Sequence, residues 1–164
     1  MKCREIIEIL ETLAPKSCAC DWDNPGLLAG RIDKDVKKIL LTLDADDAAV
    51  DRAKEIGADM LLSHHPLIFK PVKHVSDEDF IGRRLVSLIQ ADVSYYAMHT
   101  NFDSAPGCMA DIVADRLNFV DRKPLELMGE LSGTAYGIGK TGTLKKPMTG
   151  PELAREVKNR FGLP

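Results

Sequence analysis

Short apolar runs alternate along the chain with longer stretches in which apolar residues recur every three or four positions. The short runs predict buried strands, and the three-to-four spacing predicts amphipathic helices. The runs that predict strands cover residues 38–43, 59–63 and 93–98. The stretches that predict helices cover residues 2–13, about Asp46 to Ile56, the segment after Asp77 as far as Ile89, and the region from Met109 to Leu117. Pro15 and Gly57 end the first two helices.

This alternation predicts an α/β fold with a mostly parallel sheet and flanking helices, because strand–helix–strand units are typical of parallel sheets. Right-handed crossovers between parallel strands place their carboxyl ends at one edge of the sheet. Residues that directly follow the three predicted strands should therefore border the crevice in which open α/β sheets bind ligands.

The remaining segments carry other signals. Residues 18–30 are predicted to be a loop, because Asp23-Asn24-Pro25-Gly26 has the chemistry of a turn. Glycines punctuate residues 135–144, which predicts a strand or hairpin, and a final helix should begin near Pro151. We therefore predict an α/β domain over residues 1–122 that carries the functional site, followed by a further strand–helix region over residues 123–164. No closing strand follows the last helix, so we expect the C-terminal part of the fold to be incomplete.

Composition narrows the function classes. The 164 residues are 45% hydrophobic and carry a net charge of −3, with a pI near 5.8. This balance argues against nucleic acid as a partner, which requires clustered Lys and Arg. No apolar stretch approaches the roughly 18 residues of a membrane span, and the N-terminus has no signal sequence. We therefore expect a soluble, cytoplasmic protein with no membrane partner.

The four cysteines are too few for a disulfide scaffold. Cys18 and Cys20 form a Cys-x-Cys pair and not the Cys-x-x-Cys of zinc knuckles and redox motifs. We interpret them as reduced, partly buried thiols.

Histidines carry the strongest chemical signal. Three of the four histidines follow predicted strands: His64 and His65 after the second, and His99 after the third. Neighbouring side chains within a strand point to opposite faces, whereas at a strand end the turning chain lets both rings approach metal ions. Imidazole and carboxylate groups are ligands of zinc, manganese and iron. The alternative for His64 and His65 is a solvated pair in a loop.

His99 and Asp103 add an imidazole and a carboxylate four residues apart, which fits one helical face or a tight loop. We interpret Asp103 as a metal ligand; the alternative is the N-cap of the next helix. His99 is a candidate ligand or a catalytic general acid/base beside the metal, and the pattern leaves both roles open.

Three further features receive structural interpretations. Asp44 follows the first strand and is a candidate to orient a ligand histidine, but an N-cap of the next helix is the simpler interpretation. His74 is interpreted as a surface histidine. Gly139-Lys140-Thr141 does not form a phosphate loop, because Thr134 occupies the position of the first required glycine and no helix follows.

Several of these segments together resemble the NIF-three-like dinuclear-metal family, also known as GTP cyclohydrolase type-two homologues. The resemblance covers essentially the whole chain in motif order and is carried by residues 63–71 (SHHPLIFKP), 99–107 (HTNFDSAPG), 22–27 (WDNPGL), 41–44 (LTLD) and 137–144 (GIGKTGTL). Departures include Cys108, where the family usually has glycine, and Thr141, where it usually has a hydrophobic residue. The family's C-terminal histidine and glutamate have no counterpart in this sequence.

The resemblance implies an α/β fold with two divalent metal ions (zinc, iron or manganese) in a cavity, commonly in a homohexamer. It implies His64, His65 and Asp103 as ligands, with His99 lining the site. The implied activity is that of a metal-dependent hydrolase acting on a small molecule such as a nucleotide or phosphoester. The alternative is a non-catalytic scaffold that binds metal or partner proteins.

Overall fold

Four short strands form the sheet of the N-terminal part of the chain. They are β1 (Gly26–Ala29), β2 (Ile39–Thr42), β3 (Met60–Ser63) and β4 (Ser94–Ala97). The strand order is β1-β4-β3-β2; β2, β3 and β4 are parallel, and β1 pairs antiparallel with β4. The prediction of a mostly parallel sheet with flanking helices is therefore confirmed, and the three predicted strands end at one edge.

Helix α1 (Cys3–Leu13) and a 3-10 turn at Lys16–Cys18 precede the first strand. Helices α2 (Asp47–Glu55) and α3 (Phe80–Gln90) connect the three parallel strands, as the apolar spacing predicts, and the short α4 (Thr100–Ser104) follows β4. Helices α2 and α3 begin at N-cap residues Asp46 and Asp79, whose side chains accept hydrogen bonds from Ala49 and Gly82. Each cap satisfies a backbone N–H group that the first helical turn leaves unpaired.

The main hydrophobic core lies where α2 and α3 cover one face of the sheet. Its buried residues are Ala45, Val50, Ala53, Ala58, Leu61, Leu67, Leu85, Leu88, Val93, Tyr95 and Ala97. Leu61 and Tyr95 are register partners on neighbouring strands, so their side chains share this face. Burying large apolar side chains contributes about 1.5–3 kcal/mol each, which holds the strand ends of the sheet in fixed positions.

The prediction of a continuous loop over residues 18–30 is wrong, because β1 occupies Gly26–Ala29. This strand pairs along only one side, and its register shifts between Leu27 and Ala29. The turn residues before it and its short length hide the strand pattern, so its position depends on pairing with β4.

The C-terminal part contains α5 (Met109–Arg116), β5 (Val120–Leu131), β6 (Thr134–Thr143) and α6 (Gly150–Phe161). Strands β5 and β6 form an antiparallel hairpin. Residues 135–144, for which the sequence predicts a strand or hairpin, correspond to its second strand, whereas β5 lies outside that prediction. Ser132 and Gly133 both have positive φ, at 50° and 81°, as expected in a tight two-residue turn that joins twisted strands.

The structure is a computed structural model that describes residues 1–164, and it divides into two compact units, Met1–Phe102 and Asp103–Pro164. The division after residue 102 follows from packing, because α5 contacts β6 and so groups with the hairpin. The domain boundary after residue 122 stays a prediction from the sequence. None of the six helices combines the length and apolar character needed to cross a bilayer.

Candidate metal centre

The chain places His64 and His65 directly beyond the end of β3 and holds their backbone there. The N–H groups of both residues donate to the carbonyl of Leu43, over 3.2 Å and 3.0 Å. The parallel pairing of β2 and β3 therefore continues past the two strands and limits how the histidine pair can move.

A buried hydroxyl pair fixes the turn that follows. Ser63 Oγ donates to the carbonyl of His65 over 2.8 Å and lies 2.8 Å from Tyr95 Oη. The N–H of Leu67 donates to the same Tyr95 oxygen over 2.7 Å. Burial raises the pKa of Tyr95, so the phenol stays protonated at neutral pH. The turn after His65 is thus anchored to the core of the sheet.

His99 follows β4 at the same edge and is anchored through Asn101. The backbone N–H of His99 donates to Asn101 Oδ1 over 2.9 Å. Asn101 is fully buried, and its Nδ2 donates to the carbonyl of Ala14 over 2.8 Å. Because an amide with both ends satisfied cannot rotate without losing hydrogen bonds, the start of α4 is fixed relative to the end of α1.

The three histidine rings meet at this edge. The ring centroids of His64 and His65 are 5.0 Å apart, and that of His99 lies 5.3 Å from His64 and 5.7 Å from His65. One potential ligand nitrogen from each ring lies within 4.8 Å of the other two. His65 is the most exposed of the three, whereas the His99 side chain is only 18% exposed. The cluster is therefore open on the His65 side.

Each ring has its Nδ1 atom held by an acceptor. His64 Nδ1 donates to the carbonyl of Met98, which can only accept, over 2.8 Å. His65 Nδ1 and His99 Nδ1 each lie 2.8 Å from a carboxylate oxygen, of Asp44 and Asp23 respectively. When Nδ1 carries the proton, the lone pair lies on Nε2. This is the arrangement in which metal-binding histidines are found in proteins.

Asp23 is a site residue that sequence reasoning missed. Its carboxylate is fully buried and accepts hydrogen bonds from His99 Nδ1 and from the backbone N–H and hydroxyl of Thr100. Burial by itself raises the pKa of Asp23, but the hydrogen bonds from His99, Thr100 and the Asn24 backbone outweigh it, so this pKa lies below its usual range. Asp23 stays ionised and orients the His99 ring. In the sequence it stands among turn residues, and only the WDN motif marked the segment.

Asp44 orients a histidine and does not cap a helix, so the simpler sequence interpretation is wrong for this residue. Asp46 is the N-cap of α2, and its side chain accepts the N–H of Ala49 over 2.8 Å. That leaves the exposed Asp44 carboxylate to accept from His65 Nδ1. Two aspartates this close in sequence have different roles because only one of them reaches the helix start.

Asp103 lies inside α4, and the N-cap position of α5 is occupied by Cys108, so the N-cap alternative for Asp103 is wrong. Asp103 belongs to the second compact unit, where it lines a cavity of about 310 Å³ together with Met109, Phe119 and Lys140. The group of mutually close ligand atoms comprises His64, His65 and His99. The ligand role of Asp103 remains a prediction from the sequence.

Two other interpretations concern segments outside the cluster. His74 is an exposed side chain, 3.5 Å from Asp79 Oδ2. Gly139-Lys140-Thr141 lies within β6 and opens no helix, which confirms that it is not a phosphate loop. Lys140 forms an ion pair with Asp111 over 2.8 Å.

Two surfaces adjoin the histidines. A cavity of about 400 Å³ lies beside His65, and its lining includes Asp44, Phe80 and Arg84. On another side, two exposed aromatic rings lie against His99: the centroid of Trp22 is 6.3 Å away and that of Phe69 is 6.5 Å away. Fold and site together define an α/β protein with a three-histidine candidate metal centre at the carboxyl edge of its parallel strands.

Comparison with known proteins agrees with this class. The model of the family described as Duf34/NIF3 (NGG1p interacting factor 3) matches residues 1–164. The chain belongs to the Duf34/NIF3 family. The expected resemblance to the NIF-three-like family is therefore confirmed.

Individual relatives share both sequence and fold. A protein from Clostridium perfringens named GTP cyclohydrolase 1 type 2 homolog is 35% identical over 168 residues, which cover 99% of this chain and 62% of the relative. Reduced HcgD from Methanocaldococcus jannaschii is 33% identical with a TM-score of 0.83 over 97% of this chain and 60% of that one. The Staphylococcus aureus hypothetical protein SA1388 is 26% identical with a TM-score of 0.85, covering 100% and 65%. The chain thus spans somewhat less than two thirds of their length.

Proposed function

We propose that this protein binds divalent metal through His64, His65 and His99 and uses the centre for hydrolysis. One observation carries the proposal: three imidazoles, each with its Nδ1 held by an acceptor, converge so that their ligand atoms lie within 4.8 Å of one another. A solvated histidine pair does not require three separate anchors. Fixing three rings so that they converge on one point lowers their conformational entropy. Binding of a ligand at that point would offset this loss.

The donor set fits the ions expected from the sequence. Imidazole nitrogens bind zinc and iron, and an added carboxylate also suits manganese. Asp103 is the sequence-predicted source of that carboxylate, and two ions in all is the expectation from the family resemblance. A bound divalent ion would lower the pKa of a coordinated water and stabilise negative charge on a substrate oxygen.

The residues of this chain would contribute binding and proton control. The Asp23 carboxylate holds the His99 ring in one orientation, so that its Nε2 can serve either as a ligand or as a general base. The exposed position of His65 leaves an approach for water and substrate. The name of the Clostridium perfringens relative, GTP cyclohydrolase 1 type 2 homolog, supports a nucleotide substrate and a GTP cyclohydrolase-like reaction. A phosphoester substrate is part of the proposal as the broader expectation for a metal-dependent hydrolase. A cytoplasmic location, expected from the sequence, and a homohexamer, expected from the family resemblance, remain part of this proposal.

Metal content tests the binding part. The purified protein, stripped with a chelator and reloaded with zinc, iron or manganese, should retain metal on elemental analysis. His64→Ala should lose most of it, because it removes one ligand. His99→Ala should do the same if His99 is a ligand, and metal retained in His99→Ala would assign this residue the general acid/base role. His74→Ala is the matched control: it removes an exposed histidine outside the cluster and should leave metal content unchanged. Equal losses in His74→Ala would refute a site at the three-histidine cluster.

Turnover tests the catalytic part. The metal-loaded protein should hydrolyse GTP or a generic phosphoester above background, and Asp103→Ala should lower the rate if its carboxylate completes the centre. If the fully metal-loaded protein turns substrate over only at the background rate, the proposed hydrolase activity is refuted. The alternative, a non-catalytic metal-binding scaffold, is then favoured. Unchanged turnover in Asp103→Ala would remove this residue from the proposed mechanism.

A further inference from the structure

Trp22 and Phe69 are the two large aromatic side chains that contact His99, and both are open to solvent. Trp22 is 62% exposed and Phe69 is 46% exposed. Their ring centroids lie 5.9 Å apart with planes tilted by 58°. Single exposed apolar side chains are common on protein surfaces. Two that contact each other and also flank the same histidine form a continuous aromatic surface at the site.

The two rings stand on loops that are tied together. Trp22 precedes Asp23, whose buried carboxylate accepts hydrogen bonds from His99 Nδ1 and from the backbone N–H of Thr100. Asn24 Nδ2 donates to the carbonyl of Ile68 over 2.7 Å, and Ile68 directly precedes Phe69. Each aromatic side chain is therefore one residue from an anchored neighbour. The surface is preorganised, which reduces the entropy that a ligand must overcome to bind there.

The geometry points to a planar ring as the occupant. We propose that Trp22 and Phe69 form a wall that stacks a planar heteroaromatic ring of a small molecule and presents it to His99. The tilt between the two rings leaves them open for a ring that stacks on one and meets the edge of the other, an arrangement that aromatic pairs favour. Stacking depends on a ring face and not on particular polar groups, so the class of ligand is defined and its exact identity is not. This inference rests on the proposed metal centre only for the chemistry that the bound ring would meet.

The chain has a built-in reporter, because Trp22 is its only tryptophan. Guanosine and ribose are suitable probes, since they differ by the heteroaromatic base. Guanosine should quench the Trp22 emission saturably, in both metal-free and zinc-loaded protein, and ribose should leave it unchanged. Unchanged emission with guanosine, or equal effects of guanosine and ribose, would refute the proposal that Trp22 and Phe69 stack a planar ring.

Parallel elemental analysis separates this inference from the proposed function. If the protein retains no metal but guanosine quenches Trp22, the metal centre fails and the aromatic wall stands. If metal is retained and guanosine has no effect, the metal centre stands and the wall fails. Emission that shifts on dilution of the ligand-free protein would assign the aromatic surface to contact between copies of the chain, which also overturns the proposal.

A pair of variants locates the ring. Phe69→Leu keeps an apolar side chain but removes the ring, and the dissociation constant for guanosine should rise about tenfold. Bound zinc per chain should not change, because Phe69 supplies no ligand atom. Phe80→Leu is the control, since Phe80 is 54% exposed and lines the cavity beside His65. It should alter the dissociation constant by less than about twofold. A larger effect of Phe80→Leu than of Phe69→Leu would place the ring in that cavity and refute the wall.

Discussion

The acceptors that hold the three histidine rings are of two kinds. His64 donates to a neutral backbone carbonyl, whereas His65 and His99 donate to carboxylates. A carboxylate behind a ligand histidine fixes the ring and makes its other nitrogen a stronger donor. The carboxylates of Asp44 and Asp23 differ in surroundings, since the first is 57% exposed and the second is fully buried. Asp44 can therefore be altered with little risk to folding.

Asp44→Asn should weaken zinc binding by about tenfold to a hundredfold, because the amide holds His65 less firmly and does not increase its basicity. The measurement is a competition titration against a chromogenic chelator. Asp51→Asn provides the control, as Asp51 is also exposed and lies in α2 away from the histidines. Equal zinc affinity in wild type and Asp44→Asn would show that the contact between Asp44 and His65 does not serve metal binding.

The positions of some helices depend on a close approach between two backbone segments. The clearest example is the start of α3. A Cβ atom added to Gly82 would lie 1.9 Å from the carbonyl oxygen of Ser76. The N–H of Gly82 also donates to Asp79 Oδ1, the N-cap of this helix. Only glycine lets the preceding loop pack this closely against the first turn.

Gly82→Ala should lower the free energy of unfolding by about 1–3 kcal/mol, because the loop must move away from α3. Urea unfolding followed by far-ultraviolet circular dichroism measures the change in both compact units, Met1–Phe102 with Gly82 and Asp103–Pro164 with the control position Gly150. Gly150→Ala, in the first turn of α6, meets no atom within 4 Å and should change stability by less than about 0.5 kcal/mol. A Gly82→Ala variant as stable as wild type would contradict the close approach.

Strand β2 is an edge strand that presents alternate apolar side chains to solvent. Ile39 and Leu41 are 43% and 73% exposed, and Leu43, directly after the strand, is 61% exposed. Exposed apolar edge strands favour pairing with other chains. This property is independent of the histidine cluster, although Leu43, the residue directly after β2, supplies the carbonyl that holds the histidine backbone.

Leu41→Lys should reduce self-association, because a charged side chain on an edge strand opposes pairing. Sedimentation velocity over a range of protein concentrations measures this effect. Unfolding free energy should change by less than about 0.5 kcal/mol, since Leu41 is largely exposed. Association that is equally strong in Leu41→Lys would assign the contact to another surface.

Across the whole molecule, ionised carboxylates stabilise the fold. Asp59 shows how: it accepts the N–H groups of Lys37 and Lys38 over 2.8 Å and 3.0 Å, and these backbone hydrogen bonds lower its pKa. The pKa values of seven further carboxyl groups are also lowered, those of Asp23, Asp35, Asp47, Asp79, Asp92, Asp111 and Glu152. A carboxyl whose pKa is lower in the folded state stabilises it above the ordinary value, and that contribution is lost as the pH falls through the folded-state value.

Stability should therefore be steady from neutral pH to about pH 4 and fall below it. Asp59→Asn should cost about 1 kcal/mol at pH 7, because an amide accepts backbone hydrogen bonds less strongly than a carboxylate. The difference between wild type and variant should shrink below pH 3.8, the ordinary value for this group. Urea unfolding at several pH values measures both. A difference that stays constant down to pH 2 would show that the charge of Asp59 does not contribute.

The spacing of apolar residues predicted α1, α2, α3 and the three parallel strands. Each of these segments buries apolar side chains, and the pattern that this requires is visible among neighbouring residues of the sequence. The spacing failed to predict β1, which is short and whose pairing depends on β4. At the site, His64, His65 and His99 could be found because parallel strands share an edge. Asp23 could not, because its distance from His99 in the sequence gives no sign that they touch.

The sequence by itself therefore determined the α/β class, the parallel strands and the edge at which three histidines gather. Only the tertiary structure decided that Asp46 caps α2 while Asp44 reaches His65, and that a buried aspartate orients His99 beside two exposed aromatic rings. The physical reason is how far apart in the sequence the interacting residues lie. Amphipathic spacing and strand order follow from neighbours along the chain, whereas a hydrogen bond between distant residues exists only once the packed core has fixed both side chains within about 3 Å of each other.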